Sequence, residues 1–183
     1  MSTVEKAINF AVKAHKGMQR KSKTRPFILH PLEAMLIVST ITEDEDVLAA
    51  AVLHDVIEDT PYTKQDIEKE FGKRIADLVD SESENKREGQ DPKETWMIRK
   101  RETIEHLSKS SREVKLICLG DKLANLREMA RDYRKNGKTL WEVFNSTREM
   151  QNWYYWAVLS VLKPEFEGTP AIKEYEDLLR ELF

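Results

Sequence analysis

LHDVIEDT, at positions 53–60, closes an apolar, alanine-rich stretch with five residues able to hold a metal or move a proton: His54, Asp55, Glu58, Asp59 and Thr60. Just upstream, Val47, Leu48, Ala51 and Val52 repeat at i, i+1, i+4 and i+5, the stripe of a helix facing a core. On one continuous helix, His54 and Glu58 stack along one face, and Asp55 and Asp59 along the face beside it. All four heads then converge on one small volume. Three carboxylates and an imidazole beside a core stripe lose water and repel one another, and a divalent cation is the simplest compensation. The bland alternative is a solvated helix end that happens to be acidic.

Around this stretch, 183 residues are enough to bury a sizeable core in one domain. A net charge of −3 gives no basic field for nucleic acid or an anionic membrane surface. The apolar runs are too short for a membrane span, and the N-terminus has no signal-peptide pattern. A single cysteine, Cys118, excludes an internal disulfide framework and suits a reducing cytoplasm. Glycine and proline are sparse and alternating β-branched runs are missing, so the chain is expected to be all-α. No repeat or linker divides it, which predicts one multi-helix domain over 1–183.

Punctuation residues set the helices. Val4, Ile8, Ala11 and Val12 give an opening helix whose face continues to His15. GMQRKSKTRPF lacks a period and reads as a cationic loop. Pro31 is expected at the first position of a helix carrying Leu32, Met35 and Leu36. Thr42 and Glu45 predict a capping box for the central helix, which Thr60-Pro61 ends. Thr63 and Asp66 start a short helix with Ile67 and Phe71, closed at Gly72, and Ile75, Leu78 and Val79 mark another. Residues 81–113 balance eight Lys/Arg against eight Asp/Glu. Within them Asp91, Pro92 and Glu94 predict a helix start running through Leu107. Ser110 and Glu113 begin the next helix, Thr139 and Glu142 a long one, and Thr169-Pro170 the last. The last two, over 139–183, are expected to pack on the rest.

A second chemical stretch is KLICLGDKLANLRE at 115–128, which sets Asp121 inside a strongly apolar helix with Asn125 one turn later. A buried aspartate is costly unless paired or coordinated, although capping or a salt bridge would also satisfy it. His30, before a proline at a helix start, is open to the same two readings.

The order His30, His54-Asp55, Asp121 resembles that of the HD-domain phosphohydrolases. More closely, QRK…PFILHP, LHDVIEDT and LGDKLANLRE resemble the hydrolase domain of the RelA/SpoT alarmone enzymes and their stand-alone small hydrolases. The likeness covers roughly residues 5–130. It implies a hydrolase-only protein that cleaves guanosine 3′,5′-bis(diphosphate) to GDP, or its triphosphate analogue to GTP, with release of pyrophosphate. It further implies His30, His54, Asp55 and Asp121 as ligands of a divalent ion, usually manganese, which suits a mixed imidazole–carboxylate set. Glu58 and Asp59 carry over as the catalytic pair, Arg20 and Lys21 as nucleotide grip, and Asn125 as the polar residue at the nucleoside end. The chain departs from the pattern in a longer loop between Lys21 and Pro26, which bears on substrate grip. It departs again at Gly120, where the family commonly has alanine, and there looser packing is expected.

Other residues have plainer readings. His15 is expected to be structural, His106 a surface residue, and Cys118 a small buried hydrophobe. The aromatic run at 153–156 reads as core or as subunit contact, which would make a homo-oligomer, rather than as a stacking platform. Lys86 or Arg87 could reach distal phosphates, or sit in a solvated turn. Two other functions stay open: an HD phosphohydrolase for another nucleotide, such as a monophosphate or an NADPH-type phosphate, and a catalytically silent nucleotide sensor. The Glu58-Asp59 pair argues against the sensor, and QRK argues for the alarmone.

Overall fold

Alanines at 49, 50 and 51 leave the central helix thin enough for neighbours to close on it from several sides. This helix, α3 (Glu45–Leu53), is buried at Val47 and from Ala49 through Leu53, and only Leu48 of the expected stripe is half-buried. It packs on α1 (Thr3–Ala14), α2 (Leu29–Val38) and α6 (Lys73–Glu82). The computed structural model describes all residues except 21–24, 85, 86 and 88. The described residues are helical with no strand, and one isolated bridge joins Gln19 to Pro26. The remaining helices are α4 (Val56–Asp59), α5 (Lys64–Phe71), α7 (Trp96–Lys109), α8 (Arg112–Asn136), α9 (Arg148–Phe166) and α10 (Pro170–Leu182). The chain forms two compact units. One is Met1–Ser83 with Glu113–Ala124, and the other is Glu84–Arg112 with Asn125–Phe183. None of the described helices is long and apolar enough to cross a membrane.

In the first unit, several boundaries follow the sequence and others move for identifiable reasons. The Thr63–Asp66 capping box forms, Gly72 closes α5 at φ +88°, and Thr60 is extended before Pro61. The cap of α3, however, is Asp44 and not Thr42. Its carboxylate accepts from the amides of Asp46 and Val47, at 3.0 and 3.4 Å, and is itself gripped by both ends of the Arg74 guanidinium. A charged acceptor held in place outcompetes a hydroxyl two residues earlier. Helix α2 starts two residues before Pro31, which is harmless because a first-turn residue has no intrahelical acceptor to lose. Ala11 is buried as expected, whereas the expected core positions Val12 and Leu36 are exposed and Ala7 and Ala34 are buried instead.

Gly120 corrects the expectation of looser packing. A Cβ there would stand 2.7 Å from both the Ala34 carbonyl oxygen and Val38 Cγ2. The glycine therefore lets α8 meet α2 backbone to side chain, which brings Asp121 beside His30.

In the second unit, α7 begins at Trp96, five residues after the expected Asp91 start, because Asp91 instead closes a turn onto the Lys93 amide at 2.7 Å. The long aromatic helix begins at Arg148, capped by Thr147, and Thr139 falls in the 3-10 segment Gly137–Val143. Thr169 caps α10 with Pro170 in the first turn, as expected. Tyr154 and Tyr155 point into the core, where their rings meet Trp96 and Tyr175, while Trp153 and Trp156 remain partly exposed.

Candidate metal centre and active site

The 53–60 stretch is not one unbroken helix. His54 and Asp55 form a turn between α3 and α4, and the imidazole explains the break. His54 Nδ1 donates to the Ala51 carbonyl at 2.8 Å, taking the acceptor that the Asp55 amide would use in a continuous helix. The same bond aims Nε2 into the site, free to carry a proton there or to offer a lone pair to a metal. Asp59 still bonds back to Asp55, at 2.9 Å, so Glu58 and Asp59 sit on the next turn, half-buried.

Three segments bring the expected ligands together. His54 Nε2 lies 3.3 Å from His30 Nε2. Asp121 Oδ1 is 3.1 Å from His30 and 3.6 Å from His54. Asp55 sets one oxygen 3.2 Å from His54 and the other 3.5 Å from His30. His30, His54 and Asp121 are buried, with one donor atom of each within 4.8 Å of the others. Donors bound at about 2.1 Å to a single ion stand roughly 3.0–3.5 Å apart, so this spacing suits a divalent cation. Two imidazole nitrogens with facing lone pairs, between two carboxylates, also require a positive charge at their centre.

The titration of these groups reflects that demand. Burial opposes a charged His54 ring, but the Asp55 and Asp121 carboxylates override it and raise the pKa well above the ordinary value. Burial likewise pushes Asp55 up, and the His54 and His30 imidazoles hold it well below the usual carboxylate range. Asp121 is pushed up by burial but held far lower by Lys122 and the two histidines. The cluster thus favours a proton among its donors, which a metal bound there would displace.

Arg20 stands at the edge of the first unit's site. Its guanidinium lies over the Phe27 ring, 5.4 Å from the centroid, and its amide bonds to the Arg25 carbonyl. Phe27 in turn stacks on His15 at 4.8 Å and meets His30 edge-on, so one ring ties Arg20 to a metal-site histidine. Lys21 and Lys86 lie outside the described residues. Asn125, half-buried, is one turn beyond Asp121 on α8 and belongs to the second unit.

Three further residues share the surroundings, of which only His15 was read from the sequence as able to face the site. Lys122 pairs with Asp121. His15 is buried with Nδ1 on the Ala11 carbonyl, and its Nε2 has no hydrogen-bond partner among the described residues. Glu82, the last residue of α6, feels the charges of Lys122, Asp121, His54 and Asp55. Its position three residues after Val79 and four after Leu78 was a readable signal: a carboxylate on the core stripe.

An all-helical fold around a buried group of two histidines and one aspartate able to hold a metal, continued by a carboxylate pair, has the features of a metal-dependent hydrolase domain. The HD domain model matches residues 7–149, and the chain belongs to the HD domain family. It is 37% identical over 172 residues to guanosine-3′,5′-bis(diphosphate) 3′-pyrophosphohydrolase MESH1 of Xenopus tropicalis, covering 92% of this chain and 87% of that one. It is 40% identical over 117 residues to the bifunctional (p)ppGpp synthase/hydrolase SpoT of Escherichia coli K12, covering 63% of this chain but 16% of SpoT. A solved structure described as a metazoan ortholog of SpoT that hydrolyses ppGpp superposes with a TM-score of 0.76. It is 29% identical and covers 99% of this chain and 96% of its own.

Proposed function

We propose that the protein is a manganese-dependent 3′-pyrophosphohydrolase of guanosine 3′,5′-bis(diphosphate) and its triphosphate analogue, acting through one functional domain over 1–183. The observation that carries this reading is the convergence of His30, His54, Asp55 and Asp121, with Glu58 and Asp59 on the adjoining turn. The likeness to enzymes of that activity across most of both chains supports the choice of substrate. The lone cysteine, buried as Cys118, suits a reducing compartment, and this reading places the enzyme in the cytoplasm.

His30, His54, Asp55 and Asp121 would hold the ion, which when bound withdraws charge from the phosphoryl group and acidifies water. Water attacks the phosphorus attached to O3′, the P–O3′ bond breaks, and the water oxygen leaves with pyrophosphate. Glu58 and Asp59 take the proton from the water and return one to O3′. Arg20 binds the nucleotide through a guanidinium already steadied on Phe27. Lys21 and Asn125 complete the grip in this reading.

The test is a nucleotide panel offered to purified, manganese-loaded protein, scored for pyrophosphate against inorganic phosphate. Pyrophosphate with GDP is the expected product pair. Inorganic phosphate from another nucleotide would move the enzyme to a different substrate, and binding without turnover would make it a sensor.

A further inference from the structure

The cationic stretch that carries Arg20 is closed at its base by main-chain bonds. The Met18 amide donates to the His15 carbonyl at 3.0 Å, the Phe27 amide to the Met18 carbonyl at 3.0 Å, and the Arg20 amide to the Arg25 carbonyl at 3.1 Å. They bring His15, at the end of α1, to Phe27, just before α2. Both residues are buried, and their rings stack with centroids 4.8 Å apart and planes 18° from parallel. The imidazole plane is fixed from its own helix, because Nδ1 donates to the Ala11 carbonyl at 2.9 Å. That oxygen also accepts the His15 amide, at 3.0 Å. Nε2 is buried and has no hydrogen-bond partner among the described residues. A side chain that only filled the core would be apolar here, since an unpaired buried nitrogen costs stability. Local conflicts of that kind are expected where function outweighs packing.

We propose that His15 is a positioning residue for substrate binding: its ring holds the Phe27 ring, and Phe27 in turn holds the Arg20 guanidinium that grips the nucleotide. This rests on the hydrolase reading above. The guanidinium lies over the Phe27 ring, 5.4 Å from its centroid, close enough for cation–π attraction. That attraction requires the ring face to stay turned toward the charge. Two rings set the Phe27 plane, His15 stacked on it and His30 meeting it edge-on at 6.3 Å. His30 is turned to the metal centre, which leaves His15 as the ring whose place serves Phe27. An arginine held in position before the nucleotide arrives loses less side-chain freedom on binding it. Preorganisation of this kind acts on KM more than on kcat.

Two variants, His15→Leu and His15→Phe, test the proposal, each measured for Tm, bound manganese, kcat and KM. His15→Leu removes the ring but fills the space with apolar atoms. It should raise KM for guanosine 3′,5′-bis(diphosphate) about two- to tenfold, with kcat and bound manganese near wild type. His15→Phe restores a stacking ring and should recover most of that KM. In an Arg20→Ala background His15→Leu should change KM no further, because the group it positions is gone. Unchanged KM in His15→Leu overturns the proposal, and a lower Tm beside it would confine the imidazole to a structural role. A KM in His15→Phe no better than in His15→Leu also overturns it, as does a full effect of His15→Leu without Arg20. Loss of metal from either variant does the same, by moving the effect to the metal centre. Trypsin cleavage after Arg20 needs no substrate, and the protease must draw that side chain away from Phe27. It should be faster in His15→Leu than in wild type or His15→Phe, and equal rates overturn the proposal. Wild-type protein inactive on guanosine 3′,5′-bis(diphosphate) would count against the substrate assignment alone, and the trypsin comparison would still decide the role of His15.

Discussion

At the scale of single residues, the bond from His54 to the Ala51 carbonyl divides the proposed metal ligands from the proposed catalytic pair. It points one imidazole nitrogen at the site and ends α3 there, so that Glu58 and Asp59 begin a new turn and do not prolong the old one. His54→Ala and Asp121→Ala should each lose the ion, as read by elemental analysis after gel filtration. Glu58→Gln should keep the ion and turn over about 10²–10⁴-fold more slowly. Metal-free Glu58→Gln protein would make Glu58 a ligand instead. Arg20 lies outside the metal cluster, so Arg20→Ala should act on binding. Losing a charge-assisted contact worth about 1.5–3 kcal/mol should raise KM about 10- to 150-fold with kcat changed less. A collapse of kcat at constant KM would place Arg20 on the transition state.

At the scale of elements, Gly120 and Arg74 show how the site's supports are fixed. Alanine in a helix interior is worth up to about 1 kcal/mol over glycine, so Gly120→Ala would stabilise an isolated α8. Here the added Cβ meets a backbone oxygen at 2.7 Å, and forcing α2 and α8 apart should cost about 1–3 kcal/mol. A lower Tm together with weakened manganese binding is the expected result, and a raised Tm would mean the helices separate freely. Arg74 joins Asp44 and Asp46 at the start of α3 to Glu113 at the start of α8. The hydrogen bond to Arg74 lowers the Asp44 carboxyl below its ordinary 3.8. A group depressed in the folded state contributes stability above its unfolded pKa and loses it as pH falls through the folded value. Asp44→Ala should therefore be less stable than wild type at neutral pH, by about 1 kcal/mol for the lost cap. The gap should narrow in denaturant titrations carried down through pH 3.8, and a gap independent of pH would remove Asp44 from the ion pair.

At the scale of the whole molecule, the proposed ligands come from α2, the α3–α4 turn and α8, so a metal held by them would couple its occupancy to stability. A cation that binds only the folded arrangement adds about 2.7 kcal/mol at a hundred times its Kd. Manganese should raise Tm and a chelator reverse it, with the effect absent in Asp121→Ala. An equal rise in that variant would show that the metal binds elsewhere.

Much of this was present in the order of residues. The all-helical class followed from 3.6-residue spacing and sparse glycine and proline. The caps at Thr63 and Thr169 and the stop at Thr60-Pro61 followed from local backbone chemistry, which needs no tertiary partner. The convergence of His30, His54, Asp55 and Asp121 was legible because such residue types are expensive to bury apart from one another. What only the tertiary structure decided were matters of competition and close approach. Arg74, thirty residues away, made Asp44 and not Thr42 the cap of α3. An imidazole taking one carbonyl broke a helix that periodicity alone would have continued. Gly120 is favoured over alanine because of a carbonyl on another helix, which the residues around it in sequence do not reveal.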